Sequence, residues 1–236
     1  MDWLKKVLSS LWLLPIRLKS NIIINKVLFL KTTISVSKTS EIVISDATII
    51  RNSMKIRGNN SYVSAVNSSI TNSQIVIDGD NCHLILQEGT MINNSKIVIR
   101  GVNCAIEIGE GTTIGSGDFV CMGIGNSINI GARCMIADNV DVWATDSHPI
   151  VDRESGNLLN TSSSILIADH VWIGKSASVL KGVKVGQGSV IGMKSVVTHD
   201  VEPYSLYVGV PAKKIKGSIM WELSLIHISE PTRQEA

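Results

Sequence analysis

The chain has 236 residues and a formal net charge of +2, with 44% hydrophobic and 18% charged residues. Isoleucine (33) and valine (23) far outnumber the ten aromatic residues, and glycine (19) and proline (5) are too few for a collagen-like or disordered chain. Such β-branched enrichment favours strands, and scarce aromatics with a net acidic charge beyond residue 31 argue against a nucleic-acid binder.

The first 31 residues carry Asp2 against Lys5, Lys6, Arg17, Lys19, Lys26 and Lys31, a net +5. Trp3, Leu4, Val7, Leu8, Leu11, Trp12 and Leu14 recur at i, i+3/i+4 spacing, which predicts a short amphipathic helix. Two readings stay open: a helix packed across the end of the domain, or one lying on an anionic membrane surface through residues 1–20. Pro15, Arg17 and the lack of a small-residue cleavage site argue against a signal peptide. No apolar run reaches the ~18–20 residues of a spanning helix. The expectation is a cytoplasmic protein with peripheral contact at the inner face of the membrane.

From residue 32 the sequence repeats. SQIVIDGDNCHLILQEGTMINN from Ser73 matches SKIVIRGVNCAIEIGEGTTIGS from Ser95 at an offset of 22, pairing Ile75 with Ile97, Gly79 with Gly101 and Cys82 with Cys104. Further on, aliphatic residues fall every six positions, at Ile167, Ile173, Val179, Val185, Ile191 and Val197. Six is no multiple of 3.6, so a helix would scatter these side chains around its axis. A coil with three flat faces stacks them inward, which predicts an all-β parallel β-helix of seven or eight coils. The four residues by which 22 exceeds 18 are expected to bulge at one corner. The expected organisation is 1–31 as an N-terminal amphipathic segment, 32–217 as the β-helix, and 218–236 as a tail. Residues 223–236 break all periodicity and resemble translated adaptor sequence more than a natural chain end.

Cys82, Cys104, Cys121 and Cys134 form no C-x-x-C pair and sit in or beside the repeats. They read as small core fillers or stacked thiols, and no histidine neighbours them at a spacing that suggests a covalent nucleophile. The repeat breaks once, at 143–164 (WATDSHPIVDRESGNLLNTSSS), a polar stretch predicted to leave the scaffold as an excursion loop. It carries His148. An imidazole, with a reference pKa of about 6.5, is mostly neutral at pH 7 and can take the proton of an attacking alcohol. Asp146 is either an orienting carboxylate or a solvated loop residue. Trp172 reads as interface packing or as the wall of a site.

The stretch 167–217, IADHVWIGKSASVLKGVKVGQGSVIGMKSVVTHDVEPYSLYVGVPAKKIKG, resembles the end of the hexapeptide-repeat acyltransferases, the group of galactoside, maltose and polysaccharide O-acetyltransferases. The resemblance is strong over about 106–217, while over 34–105 only the repetition supports it. It implies a left-handed β-helix, a homotrimer, and acetyl-CoA as co-substrate without a metal. It also implies His148, in the S/T/D-x-H-P element, as general base, and Trp172 as a wall against the sugar or the pantetheine arm. Gly174, Ser176 and Ala177 match groove-lining positions for coenzyme A, as does Gly192, expected on the coil after next, followed by Lys194. Pro211, Lys213 and Lys214 match the family's G-x-P-A-[KR] segment and are candidate phosphate partners; a solvated lysine face is the alternative for each. The layout leans towards acceptors of capsule, lipopolysaccharide or sialic-acid type. A γ-type carbonic anhydrase uses the same architecture but needs an H-x4-H pair that His148 lacks. A non-catalytic binding scaffold would explain the early repeats but not the loop and the lysine-rich end.

Overall fold

The computed structural model describes residues 21–222; the expected N-terminal helix and the stretch 223–236 lie outside the described residues. Among the described residues there is no helix, and the strands form three sheets of eight, ten and eight strands, parallel except for the last strand of the second, the faces of one β-helix. Each sheet takes every third strand, so the chain passes first, second and third face in turn for eight complete coils: 22–36, 41–57, 62–80, 83–102, 105–124, 127–143, 165–180 and 184–197.

Strand alternation sends every second side chain inward, and coil stacking places like on like. On the first face Ile22, Ile42, Val63, Leu84, Ile106, Ile128 and Ile165 stand in one register column, all buried. Each such side chain contributes about 1.5–3 kcal/mol by leaving water. This explains the isoleucine-rich composition: a narrow prism has room for one aliphatic row per face position and little room for rings. Phe119 is the exception, buried on the third face of coil 5.

Two boundaries differ from the sequence reading. Among the described residues the solenoid begins with Ile22–Asn25 and Leu28–Leu30, inside the segment 1–31 set apart from the β-helix, because Ile22 and Ile24 bury on the column below Ile42 and Ile44. At the other end the packed chain runs past 217: Trp221 is buried and its indole donates to the His170 carbonyl at 2.9 Å.

The extra residues of the longer coils do not bulge at a corner. The register advances by 22 residues from Leu84 to Ile106 and again to Ile128, but by 18 from Leu166 to Lys184. The difference lies in the third face, whose strands run Gln74–Asp80, Ser95–Val102 and Gly117–Ile124 in coils 3–5, against Ser178–Leu180 in coil 7. Near their ends Gly79, Gly101 and Gly123 stack. A Cβ on Gly101, where φ is +119°, would stand 1.9 Å from the Gly123 carbonyl oxygen, so only glycine lets the lengthened strands bend in step.

The corners are lined by a polar ladder that includes the cysteines. The Ser61 hydroxyl donates to the Gly79 carbonyl at 2.7 Å, and the Cys104 thiol to the Gly123 carbonyl at 3.2 Å, one ladder position per coil. Cys82 lies directly between them and donates to Gly101. Cys82, Cys104 and Cys134 are therefore small buried donors, while Cys121 is a core residue of the third-face strand of coil 5. The open end of the ten-stranded sheet is covered by Leu206–Val208 and by the antiparallel Lys213–Lys216, an edge strand carrying three lysines.

Candidate active site

The excursion loop leaves where expected, between Val140–Trp143 and Ile165–Ile167. Coil 6 follows coil 5 in register as far as Val120 opposite Trp143, and the Ala144 amide still donates to the Val120 carbonyl at 2.9 Å. The chain then turns out, while the coil 5 strand beneath continues to Ile124. The loop folds on itself through an antiparallel bridge between Val151 and Leu158.

His148 sits on this loop, exposed, and its position is fixed through its main chain. Its amide donates to the Asp146 carbonyl at 2.7 Å, and its carbonyl accepts from the Asn160 side chain at 2.9 Å. Ser147 between them takes a left-handed conformation, φ 65°. Asn160 makes three contacts: its amide nitrogen also donates to the Asp146 carboxylate at 2.7 Å, and its carbonyl oxygen accepts from the Ile150 amide. One side chain thus ties residues 146, 148 and 150 together.

The Asp146 carboxylate faces Asn160 and the Lys181 ammonium. Hydrogen bonding from Lys181, and then from Asn160, holds its carboxyl below the ordinary value of 3.8. Lys181 follows the third-face strand of coil 7, so this ion pair latches the loop to the scaffold. Of the two sequence readings of Asp146, the structure gives a third: an anchored carboxylate that reaches His148 through Asn160 and its own main chain.

An open cleft of about 410 Å³ lies beside His148, lined by Gly123, Ile124, Thr145–Pro149, Leu158 and Asn160–Ser162. None of the residues expected to hold coenzyme A lines it. Those gather on coils 7 and 8 and the cap. Gly174 and Gly192 lie on adjacent coils, not on alternate ones, because the 18-residue step there is one full turn; the Gly174 amide donates to Ile191 and that of Gly192 to Tyr207. Coil stacking alone accounts for Gly174, where a Cβ would meet the Met193 nitrogen at 2.7 Å, whereas one on Gly192 would meet a side-chain atom of Val208 at 2.5 Å. Ser176 and Lys194 occupy the same left-handed corner on successive coils, φ 58° and 59°. Ala177 is wholly buried in the core, so its methyl group cannot touch a ligand, and its amide already donates to Gly174. Pro211 and Lys213 are exposed on the cap, and Lys214 is paired with Glu202, which raises the lysine above its ordinary value.

Trp172 lies on the second face, 37% exposed, with Trp221 tilted against it at 6.0 Å between ring centroids. Trp221 in turn stacks on His170 at 4.3 Å. His148 and Trp172 thus occupy separate surfaces of one chain. Asn160, Lys181, Ile124 and Trp221 were not singled out by the sequence. Asn160 is one of several polar residues in its loop, and its role appears only once the loop is folded. Among the described residues no group of three or more His, Cys, Asp or Glu side chains is placed to share a metal ion.

A family model described as bacterial transferase hexapeptide (six repeats) matches residues 164–199. The polysialic acid O-acetyltransferase of Escherichia coli O1:K1 / APEC is 38% identical over 88 residues, 37% of this chain and 29% of that protein. The chloramphenicol acetyltransferase of Klebsiella aerogenes is 53% identical over 55 residues, 23% of this chain and 26% of that protein. These matches span less than a third of either relative's length. Two solved structures align far more completely. The polySia-specific acetyltransferase NeuO superposes with a TM-score of 0.72 at 30% identity, covering 89% of this chain and 93% of its own. The polysialic acid O-acetyltransferase OatWY superposes with a TM-score of 0.60 at 29% identity, covering 86% and 93%. The eight-coil solenoid, the six-residue beat of its late coils and this near-complete alignment establish that the chain belongs to the hexapeptide-repeat acyltransferase family.

Proposed function

We propose that this protein transfers an acetyl group from acetyl-CoA to a hydroxyl of a sugar or polysaccharide of capsule, lipopolysaccharide or sialic-acid type. The observation that carries this reading is His148. It stands exposed beside a cleft, on a loop held by Asn160 and latched by Asp146 to Lys181. The acetyltransferase names of its relatives support the reaction class.

In the proposed mechanism the His148 imidazole accepts the proton of the acceptor hydroxyl as its oxygen attacks the thioester carbonyl carbon. The resulting tetrahedral species collapses with loss of the carbon–sulfur bond, and the departing thiolate takes the proton back from the imidazolium. Transfer is direct. The four thiols are buried, and burial raises Cys82 and Cys134 above the ordinary value of 9.0. Hydrogen bonding to Cys104, and then burial, raises Cys121 above the same value, and neither sulfur is accessible to substrate. General-base catalysis of this kind is worth about 10²–10⁴-fold.

Lys194 and Lys213 are the cations proposed for the nucleotide phosphates, with Trp172 as a wall of the donor site. Because His148 and Trp172 lie on separate surfaces, we assign the working site to a junction between chains of a homotrimer. Mixing and reassembling two inactive variants, His148→Ala and Trp172→Ala, tests this directly. Partial recovery of turnover is expected, and no recovery from a reassembled, folded mixture would contradict a shared site. The basic, amphipathic sequence of residues 1–20 is proposed to bring the enzyme to an anionic membrane surface. Its deletion should shift the protein to the soluble fraction, and an unchanged distribution would contradict that part.

A further inference from the structure

We infer that Trp221 is a positioning residue of the donor site, holding the Trp172 indole at one angle from within the same chain. The inference rests on the reading of Trp172 as a wall of that site. Past the lysine-bearing edge strand the chain returns along the corner between the first and second faces. The Ile219 amide donates to the Tyr204 carbonyl on the cap at 2.9 Å, and Trp221 then reaches His170 on coil 7. Tyr204, Gly188 and His170 mark this corner on successive turns, each in the left-handed conformation, φ 52°, 66° and 55°. Three contacts tie Trp221 to His170. Its indole donates to the His170 carbonyl at 2.9 Å, and its carbonyl lies 3.1 Å from His170 Nε2. A carbonyl only accepts, so Nε2 carries the hydrogen. The two rings also stack at 4.3 Å, with 7° between their planes. One corner residue thus fixes both the main chain and the ring of Trp221, and the indole is buried.

From that seat the Trp221 ring meets Trp172 at a tilt of 48°, with 6.0 Å between centroids. Aromatic pairs attract at about 4.5–7 Å in such tilted arrangements. The contact is made on the outside of the solenoid. Val171 and Ile173, on either side of Trp172, are core residues that bury wholly among the coils. In its outward column Trp172 stands between Met135 and Val190. Trp221 approaches it from the first–second corner, whereas Gly174, Ser176, Gly192 and Lys194 lie at the second–third corner. Trp172 is therefore backed on the side away from the residues proposed for coenzyme A, and its exposed part is left for a ligand. An exposed side chain without such backing exchanges rotamers, and ordering it when a ligand binds costs affinity. Trp221 removes that cost beforehand. Both rings belong to one chain, so this half of a site shared between chains is set before the chains meet.

The test compares the full-length wild type with Trp221→Phe, Trp221→Ala, Trp172→Ala and the double variant Trp172→Ala/Trp221→Ala. Coenzyme A affinity is measured by calorimetry, and the indole pair is followed by its exciton couplet in circular dichroism. The wild type should show the couplet, and every variant should lose it. Trp221→Ala should weaken coenzyme A binding by about two- to tenfold, the range of one aromatic pair. Trp221→Phe, which keeps a ring on His170 and so holds the tail in place, should weaken it less. In the Trp172→Ala background the loss of Trp221 should cost nothing further, because its effect passes through that indole. A wild type without the couplet would overturn the pairing. Unchanged affinity in Trp221→Ala, or an equal loss with and without Trp172, would overturn the positioning role while Trp172 keeps its place in the donor site. Failure of the parent reading looks different: Trp172→Ala then binds coenzyme A as tightly as the wild type, the wild-type couplet persists, and the inference falls with that reading.

Discussion

The side-chain amide of Asn160 donates to the main-chain carbonyl of His148 at 2.9 Å, across a loop of twelve residues. The same nitrogen reaches the Asp146 carboxylate at 2.7 Å, so the candidate base is positioned by its backbone and not by a partner on its ring.

Replacing Asn160 with alanine removes all three contacts at once and frees the stretch 146–150. Misplacement of a catalytic group by about 1 Å can cost about 10²-fold, so kcat should fall by about 10–100-fold with little change in the half-saturating acetyl-CoA concentration. In a His148→Ala background the same substitution should cost nothing further, because its effect acts through that imidazole. A full additional loss in the double variant would show that Asn160 acts elsewhere.

The Asp146–Lys181 latch has a defined pH dependence. The folded-state pKa of Asp146 lies below its ordinary 3.8. The latch is therefore fully present above the ordinary value and is lost as pH falls through the lowered one. A carboxyl-carbon NMR titration should place the Asp146 midpoint below 3.8, and Lys181→Met should raise it. A midpoint unmoved by Lys181→Met would remove the ammonium as its cause.

The corner ladder predicts how the thiols respond to substitution. Ser61 already occupies the ladder position one coil before Cys82 and two before Cys104. Cys104→Ser should accordingly stay within about 1 kcal/mol of the wild type and keep normal turnover. Cys104→Val leaves the Gly123 carbonyl without its donor and should cost about 1–3 kcal/mol. Chemical denaturation of both variants checks the pair, and loss of turnover in a folded Cys104→Ser protein would reopen covalent catalysis.

Two glycines separate stacking from conformation. Gly101→Ala would drive a Cβ to 1.9 Å from the Gly123 oxygen at a φ of +119° and should destabilise by about 2–4 kcal/mol. Gly125→Ala, at φ +63° with open space around it, should cost only about 1–2 kcal/mol, the left-handed penalty alone. Similar thermal midpoints for the two would contradict the close stacking of the lengthened strands.

The sequence carried the solenoid clearly because stacking turns fold into repetition: each inward position recurs once per coil, and the 22-residue offset of Ile75 and Ile97 is the observed register. It also located the loop, since a polar stretch cannot continue an aliphatic column. It misplaced the first coil, because the basic charge that runs through Lys26 and Lys31 grouped Ile22 and Ile24 with the N-terminal segment. The lengthened third face could not be told from a corner bulge, since both add four residues per repeat. In the site, His148 was legible from its motif. Asn160 and Lys181 were not, because their partners are fixed by how the loop folds and where coil 7 ends. Gly174 was read for a ligand, whereas coil stacking already demands it.

Thiol release from acetyl-CoA in the presence of bacterial glycans, measured for wild type and His148→Ala side by side, tests the central claim most directly. Glycan-dependent release that falls by about 10²-fold or more in the variant, with the solenoid intact by circular dichroism, is the predicted result. Equal release by the two proteins would contradict His148 as the base, and a folded wild type that binds no coenzyme A would contradict acetyl transfer itself.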